Sequence, residues 1–93
     1  MVEPPCALSR EVTIVNELGL HARSAAKIAQ LAQEARSGVW VRKGDETADA
    51  TSIIDILTFA CARGTRLTVC VDDPEDRAIL ERIVALVENG FGE

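Results

Sequence analysis

The sequence lacks the residue sets that metal sites and most hydrolytic enzymes require. It has one histidine and three cysteines, and the cysteines show no C-x-x-C spacing. A closed structural zinc site needs four such ligands at short spacings, so none is expected, and the sequence indicates no metal or cofactor. We expect Cys6, Cys61 and Cys70 to be small buried or half-buried thiols in a reducing cytoplasm.

Positive charge and long apolar runs are also scarce. Ten Lys and Arg residues stand against fifteen Asp and Glu residues, which gives a net charge of −5. This balance argues against nucleic-acid binding, which needs an excess of basic residues. No apolar run approaches the length of a membrane span, and the first residues lack the charged and apolar regions of a signal peptide. We therefore expect a cytoplasmic protein without membrane insertion.

The pattern that is present predicts one α+β domain in 93 residues. Two prolines and no periodicity mark residues 1–9 as a flexible N-terminal tail, followed by a domain at 10–93. We predict strands at 11–16, 39–42, 46–50 and 65–72, and helices at 22–35, 52–63 and 74–89. This βαββαβα order favours helices on one side of a mostly antiparallel sheet, with Trp40 and Cys70 on the open face.

The helix starts differ in charge. The third helix begins with Asp73, Pro74 and further acids, which suits the unpaired N–H groups and partial positive charge of a helix N-terminus. The first helix instead begins with His21, Arg23 and Lys27, and its first acid is Glu34. Unpaired N–H groups and two cations at one place are typical of an anion site, so an oxyanion such as phosphate would supply the missing negative charge.

His21 adds chemistry to this anion site. A neutral imidazole is a nucleophile, and a helix N-terminus disfavours its protonated form, so His21 could accept a phosphoryl group that Arg23 would pair with. On composition alone, an ordinary loop or capping histidine is the favoured interpretation, because most lone histidines have no catalytic role. The sequence shows no partner Cys, Ser or paired carboxylates for hydrolysis and no glycine-rich nucleotide loop. An independent enzyme is therefore not expected.

Two strings of residues carry a family resemblance over about residues 10–93. The first is NELGLHAR at 16–23, and the second is ATSII at 50–54; the final FGE also fits. With these strings, the sequence resembles the HPr phosphocarrier proteins of the bacterial phosphoenolpyruvate-dependent phosphotransferase system. The resemblance implies an open-faced β-sandwich whose four-stranded antiparallel sheet is covered on one face by three helices.

The resemblance also implies a role for each residue near His21. His21 would take a phosphoryl group on Nδ1 from enzyme I, which obtains it from phosphoenolpyruvate, and pass it to IIA domains of sugar permeases or of a regulatory branch. Arg23 would steady the phosphate. The family usually has proline where this chain has Ser24, whose N–H and hydroxyl, with Ala22, are expected to support the phosphate. The protein would be a carrier and not an enzyme.

Regulation and docking are implied around the second helix. Ser52 aligns with the serine that an HPr kinase phosphorylates in some family members, although serine is also an ordinary helix cap. Ile53, Ile54 and Lys27 are expected to dock partners beside His21. A monomer suits a carrier that must meet successive partners. The alternative is a regulatory binding protein that transfers nothing, but family members of that kind lack the active histidine.

Overall fold

The computed structural model describes residues 6–93 and contains an antiparallel sheet with helices on one of its faces. The elements are β1 (Leu8–Thr13), α1 (Ala22–Ala32), β2 (Val39–Lys43), β3 (Glu46–Asp49), α2 (Ile53–Leu57), β4 (Arg66–Val71) and α3 (Arg77–Glu88). Single 3-10 turns lie at Pro74–Asp76 and Gly90–Gly92. The four strands are ordered β1-β4-β2-β3. The predicted fold class and element order are confirmed.

The core lies between the sheet and the helices. Alternate residues of β2 and β4, including Val39, Val41 and Val69, are at most 1% exposed, because every second side chain of a strand points to the same face. Ile28 of α1 and Ile83 of α3 cover them and are equally buried. Each helix of residues 6–93 is too short or too polar to span a bilayer.

The predicted bounds of β1, α1 and α2 are wrong. β1 runs from Leu8 to Thr13 instead of 11–16, because β4 continues to Val71 and pairs there with Leu8. The tail predicted at 1–9 therefore overlaps β1 at its last two residues, and residues 1–5 lie outside the described residues. α1 ends at Ala32 rather than 35, because the amides of Glu34 and Ala35 donate to carbonyls three residues back.

α2 is much shorter than the predicted helix at 52–63. It ends after Leu57, and Ala60 then adopts a left-handed conformation with φ of 51°, which turns the chain away from the helix axis. The turn buries Phe59, which is 4% exposed. Ile54 is 76% exposed, as expected. The helix therefore has one buried side chain, Ile56, and a wide outward apolar face.

The open face of the sheet carries a disulfide. Trp40 and Cys70 are cross-strand partners on this face, but Cys70 is 1% exposed instead of facing water. Its sulfur is bonded to Cys6, which lies two residues before the start of β1, with 5.7 Å between the two Cα atoms. The expectation of free thiols is therefore wrong at these two positions. Cys61 remains a free buried thiol, and burial raises its pKa.

Asp76 joins the start of α3 to the loop after α1. Its carboxylate is 3% exposed and accepts the backbone N–H groups of Arg36 at 2.9 Å and Ser37 at 3.1 Å, together with the Ser37 hydroxyl at 3.1 Å. The bond from the Arg36 amide, followed by the bonds from Ser37, lowers the pKa of the Asp76 carboxyl. The folded state thus favours the charged carboxylate.

Breaking the disulfide should lower stability without changing the fold. The bridge closes a loop with a sequence separation of 64, so its loss is expected to reduce the free energy of unfolding by up to about 4 kcal/mol. Urea unfolding of the wild type with and without reductant measures this loss, and Cys6→Ser should unfold like the reduced protein and ignore reductant. A wild type that is insensitive to reductant and shows three free thiols when denatured contradicts the bridge.

Asp76→Asn should destabilise the protein more at neutral than at acid pH. The pKa of Asp76 is lower in the folded than in the unfolded protein, so its contribution is present above the ordinary value of 3.8 and is lost as pH falls through the folded pKa. Urea unfolding at pH 7 is expected to show a loss of about 1–3 kcal/mol. The gap to the wild type should narrow near pH 2.5, and an equal gap at both pH values would refute this linkage.

Candidate functional site

His21 is the N-cap of α1. Its Nδ1 accepts the backbone N–H of Arg23 at 3.3 Å, which satisfies one of the amide donors that a helix start leaves unpaired. The first turn contains no acidic residue, so the helix dipole there is not balanced by any carboxylate of the turn itself. The His21 side chain is 30% exposed, which leaves the ring accessible from solvent.

Ser24 fixes the backbone of His21. Its hydroxyl accepts the His21 N–H at 2.9 Å and donates to the His21 carbonyl oxygen at 3.1 Å, and the residue is fully buried. A proline would lack this hydroxyl and would leave the His21 N–H without its partner. The hydroxyl of Ser24 is thus engaged with the histidine backbone, on the inner side of the helix start.

The Nε2 atom of His21 meets the carboxylate of Glu93. The distance from Nε2 to Oε2 of Glu93 is 2.5 Å, and a carboxylate oxygen only accepts, so Nε2 carries the hydrogen. Nδ1 faces an amide N–H and is therefore the acceptor nitrogen with a lone pair. The hydrogen bonds specify the neutral Nε2–H tautomer and direct the nucleophilic lone pair of Nδ1 to the helix N-terminus.

The Glu93 carboxylate is held in the charged form and in place. Hydrogen bonds from the Asn16 amide and then from His21 lower the pKa of the Glu93 carboxyl, and the charge of Lys27 acts in the same direction. Lys27 also donates from Nζ to the carbonyl oxygen of Phe91 at 2.6 Å. The Phe91 ring is 1% exposed, so it anchors the C-terminal segment in the core.

The loop before His21 depends on a close backbone contact. Gly19 has φ of +68°, and a Cβ at this position would collide with the carbonyl oxygen of Cys61. The next amide, of Leu20, donates to that same oxygen at 2.8 Å. Only glycine combines this conformation with this contact, so Gly19 sets the approach of the chain to His21.

The other predicted site residues fall into two groups. Ala22 and Arg23 are exposed at the helix start beside His21, with the Arg23 side chain directed into solvent. Ser52 is half-buried and caps α2, because its hydroxyl accepts the Asp55 N–H at 3.2 Å. Ile53 and Ile54 follow on the outward face of α2. Lys27, in contrast, is occupied by the C-terminal segment.

Sequence reasoning missed two residues of this site, Asn16 and Glu93. Asn16 is 6% exposed and donates from Nδ2 to the Gly19 carbonyl at 2.8 Å and to Oε1 of Glu93 at 2.9 Å. Glu93 lies 72 positions after His21, and no periodicity or spacing links them. The missing acid in the first turn of α1 was the available signal, since it called for a carboxylate from elsewhere in the chain.

Removal of the Ser24 hydroxyl should destabilise the start of α1. Ser24→Ala leaves the buried His21 N–H unpaired, so we expect a loss of about 1 kcal/mol in the free energy of unfolding. Amide hydrogen exchange should accelerate in the first turn of α1 and stay unchanged in α3. The same measurement on Ser52→Ala, which removes the cap of α2, is the matched control. Unchanged exchange in the first turn of α1 in Ser24→Ala would show that the hydroxyl is dispensable.

Comparison with known proteins identifies the family. Residues 8–89 match the family model described as the PTS HPr component phosphorylation site. The phosphocarrier protein HPr of Cupriavidus necator is 38% identical over 86 residues, which cover 92% of this chain and 97% of the relative.

Solved structures agree. An HPr of Thermoanaerobacter tengcongensis superposes with a TM-score of 0.86 at 30% identity, covering 92% of this chain and 97% of that one. Crh of Bacillus subtilis, described as a catabolite repression protein in a domain-swapped dimer, gives a TM-score of 0.70 at 28% identity over 97% of both chains. The chain therefore belongs to the HPr family of phosphocarrier proteins of the phosphotransferase system.

Proposed function

We propose that this protein accepts a phosphoryl group on Nδ1 of His21 from phosphorylated enzyme I, which is charged by phosphoenolpyruvate, and passes it to IIA domains. The observation that carries this proposal is the hydrogen-bonded tautomer of His21. Nε2 holds the hydrogen against Glu93, and Nδ1 presents its lone pair at the N-terminus of α1. A helix N-terminus is a favourable place for the oxygens of a phosphoryl group.

The transfer step needs no proton to move from the nucleophile. The Nδ1 lone pair attacks phosphorus, and the bond from phosphorus to the donor atom of enzyme I breaks, with its electron pair returning to the donor. The hydrogen on Nε2 stays shared with Glu93, whose negative charge offsets the positive charge that develops on the ring. Delivery to the next acceptor is the reverse step: the acceptor attacks phosphorus, and the bond between phosphorus and Nδ1 breaks with its electron pair returning to Nδ1.

The groups around Nδ1 would hold the transferred phosphoryl group. Once Nδ1 is bonded to phosphorus, the Arg23 N–H loses its acceptor and is placed to donate to a phosphoryl oxygen. The exposed guanidinium of Arg23 is free to pair with a second oxygen, and the Ala22 amide lies in the same unpaired first turn. Ser24 contributes by fixing the His21 backbone rather than by touching phosphate.

Partners would dock on an exposed apolar rim near His21. The rim is defined by five large apolar side chains that are 36–76% exposed, namely Val15, Leu18, Ile53, Ile54 and Leu57. The hydrogen bond from Leu20 to Cys61 ties the loop before His21 to the segment after α2, so both parts of the rim lie near the ring. Exposed apolar groups beside a reactive histidine suit brief contacts of a monomer with enzyme I and IIA domains.

A docking-only regulatory protein is the second candidate, because Crh shares this fold. In that case Ser52, at the edge of the apolar rim, would be the substrate of an HPr kinase. A phosphate on Ser52 would add negative charge beside the rim and repel an acidic partner surface. The intact tautomer of His21 favours the carrier.

Phosphorylation by enzyme I tests the carrier directly. The protein is incubated with phosphoenolpyruvate and catalytic enzyme I, whose competence is checked on the Cupriavidus HPr. We expect a mass gain of one phosphoryl group that is labile in acid and stable in base, and that is absent in His21→Ala. Arg23→Ala should still be phosphorylated but about tenfold more slowly, since it loses a charge-assisted hydrogen bond to the phosphoryl group.

The outcomes separate the two candidates. A wild type that stays unmodified while the Cupriavidus protein is phosphorylated would reject the carrier and favour the docking protein. A separate incubation with an HPr kinase and ATP then tests Ser52, with Ser52→Ala as the control. A mass gain that persists in His21→Ala would assign the phosphoryl group to another residue and reject His21 as acceptor.

A further inference from the structure

Asn16 is a buried polar residue that the transfer chemistry does not use directly. It follows β1 in the chain and is 6% exposed. Its side chain connects the loop before His21, through Gly19, with the C-terminal segment, through Glu93. The other buried polar residues of the described chain, Ser24 and Asp76, each fix a backbone turn, whereas Asn16 bonds to the carboxylate that contacts His21.

The orientation of the Asn16 amide follows from its neighbours. Nδ2 faces the Gly19 carbonyl oxygen at 2.8 Å and Oε1 of Glu93 at 2.9 Å, and both of these atoms only accept hydrogen bonds. Nδ2 therefore uses both of its hydrogens. Oδ1 is left buried without a donor among residues 6–93, which costs stability. Asparagine at this position thus has both N–H donors of its amide paired and its carbonyl acceptor unpaired.

The two oxygens of Glu93 have separate partners. Oε1 accepts from Asn16, and Oε2 meets Nε2 of His21. Because the carboxylate is planar, fixing Oε1 sets the direction in which Oε2 points. We propose that Asn16 is a positioning residue that acts through Glu93 to hold His21 in the Nε2–H tautomer required for phosphoryl transfer, an inference that rests on the proposed function.

Other side chains do not replace the asparagine in this arrangement. Serine or threonine would offer one hydrogen, and aspartate would set a second negative charge against Glu93. The Asn16 bond is the main cause of the lowered pKa of Glu93. The charged groups around this carboxylate are Lys27, which attracts it, and Glu17 and Arg63, which line the adjacent cleft; the titratable ring of His21 meets it through the Nε2–H hydrogen bond.

A double-mutant cycle tests whether Asn16 acts through Glu93. We expect Asn16→Ala to accept the phosphoryl group from enzyme I about fivefold more slowly than the wild type, because a factor of this size corresponds to the loss of one hydrogen bond. Glu93→Ala should also accept the group more slowly. The rate of the double variant should match that of Glu93→Ala within about twofold, because without the Glu93 carboxylate Asn16 no longer acts on His21. Asn89→Ala, an exposed asparagine close to the same segment, is the control and should transfer at the wild-type rate.

Spectra of the unphosphorylated protein supply an independent readout. The ¹⁵N shifts of the His21 ring should show the Nε2–H tautomer in the wild type and in Asn89→Ala, and a mixture of tautomers in Asn16→Ala. The pKa of Glu93, followed by its side-chain ¹³C shift, should rise in Asn16→Ala. Asn16→Asp keeps the size of the side chain and should give the same tautomer mixture, so the test survives if the alanine variant unfolds.

The outcomes distinguish failure of the positioning role of Asn16 from failure of the carrier function. If the wild type is phosphorylated but Asn16→Ala and Asn16→Asp keep its rate and tautomer, the positioning role is wrong and the carrier stands. Additive losses of rate in the cycle would also reject it, since they would mean that Asn16 acts independently of Glu93. If the wild type is not phosphorylated, the carrier is wrong, and the ring spectra alone decide whether Asn16 orients His21.

Discussion

The hydrogen bond between the Arg23 amide and Nδ1 of His21 is the constraint on which the rest of the site depends. It makes one side chain both the cap of α1 and the proposed phosphoryl acceptor of the protein. A cap must present a lone pair to the helix, and a nucleophile must present one to its target, so the same electronic state satisfies both needs. For the proposed transfer, the ring therefore needs little rearrangement beyond loss of one weak hydrogen bond.

The lack of an acidic residue in the first turn of α1 explains why the carboxylate beside His21 comes from a distant part of the sequence. An ordinary helix would place an acid in its first turn, but a carboxylate there would occupy the position that a phosphoryl group needs. The chain instead brings a carboxylate from its far end to the other nitrogen of the ring. Lys27 and the buried Phe91 hold this end in place, and Phe91 adopts φ of 60°, a rare conformation for a bulky residue. Local strain at Phe91 is thus the cost of directing Glu93 toward the ring.

Much of the architecture was predictable from sequence because it depends on short-range patterns. Alternation in β2 and β4, the capping serine of α2 and the anomalous charge at His21 are all local signals. The first two predicted elements that the structure contains, and the third singled out His21 as the proposed acceptor. The errors come from tertiary contacts: Val71 extends β1 toward the N-terminus, and the buried Phe59 shortens α2. The Cys6–Cys70 bridge and the Asn16–Glu93–His21 chain join residues 64 to 77 positions apart, and no periodicity reports such pairs.

The distance in sequence between the ring and its carboxylate also gives the site an order of assembly. During synthesis His21 is added 72 residues ahead of Glu93, so the imidazole exists without the group that fixes its tautomer until those residues have been added. Closing so long a loop depends on the core that forms between the two ends. Loss of residues 91–93 would remove Glu93 and the Phe91 anchor together. The tautomer of His21 therefore depends on residues that are added long after the histidine itself.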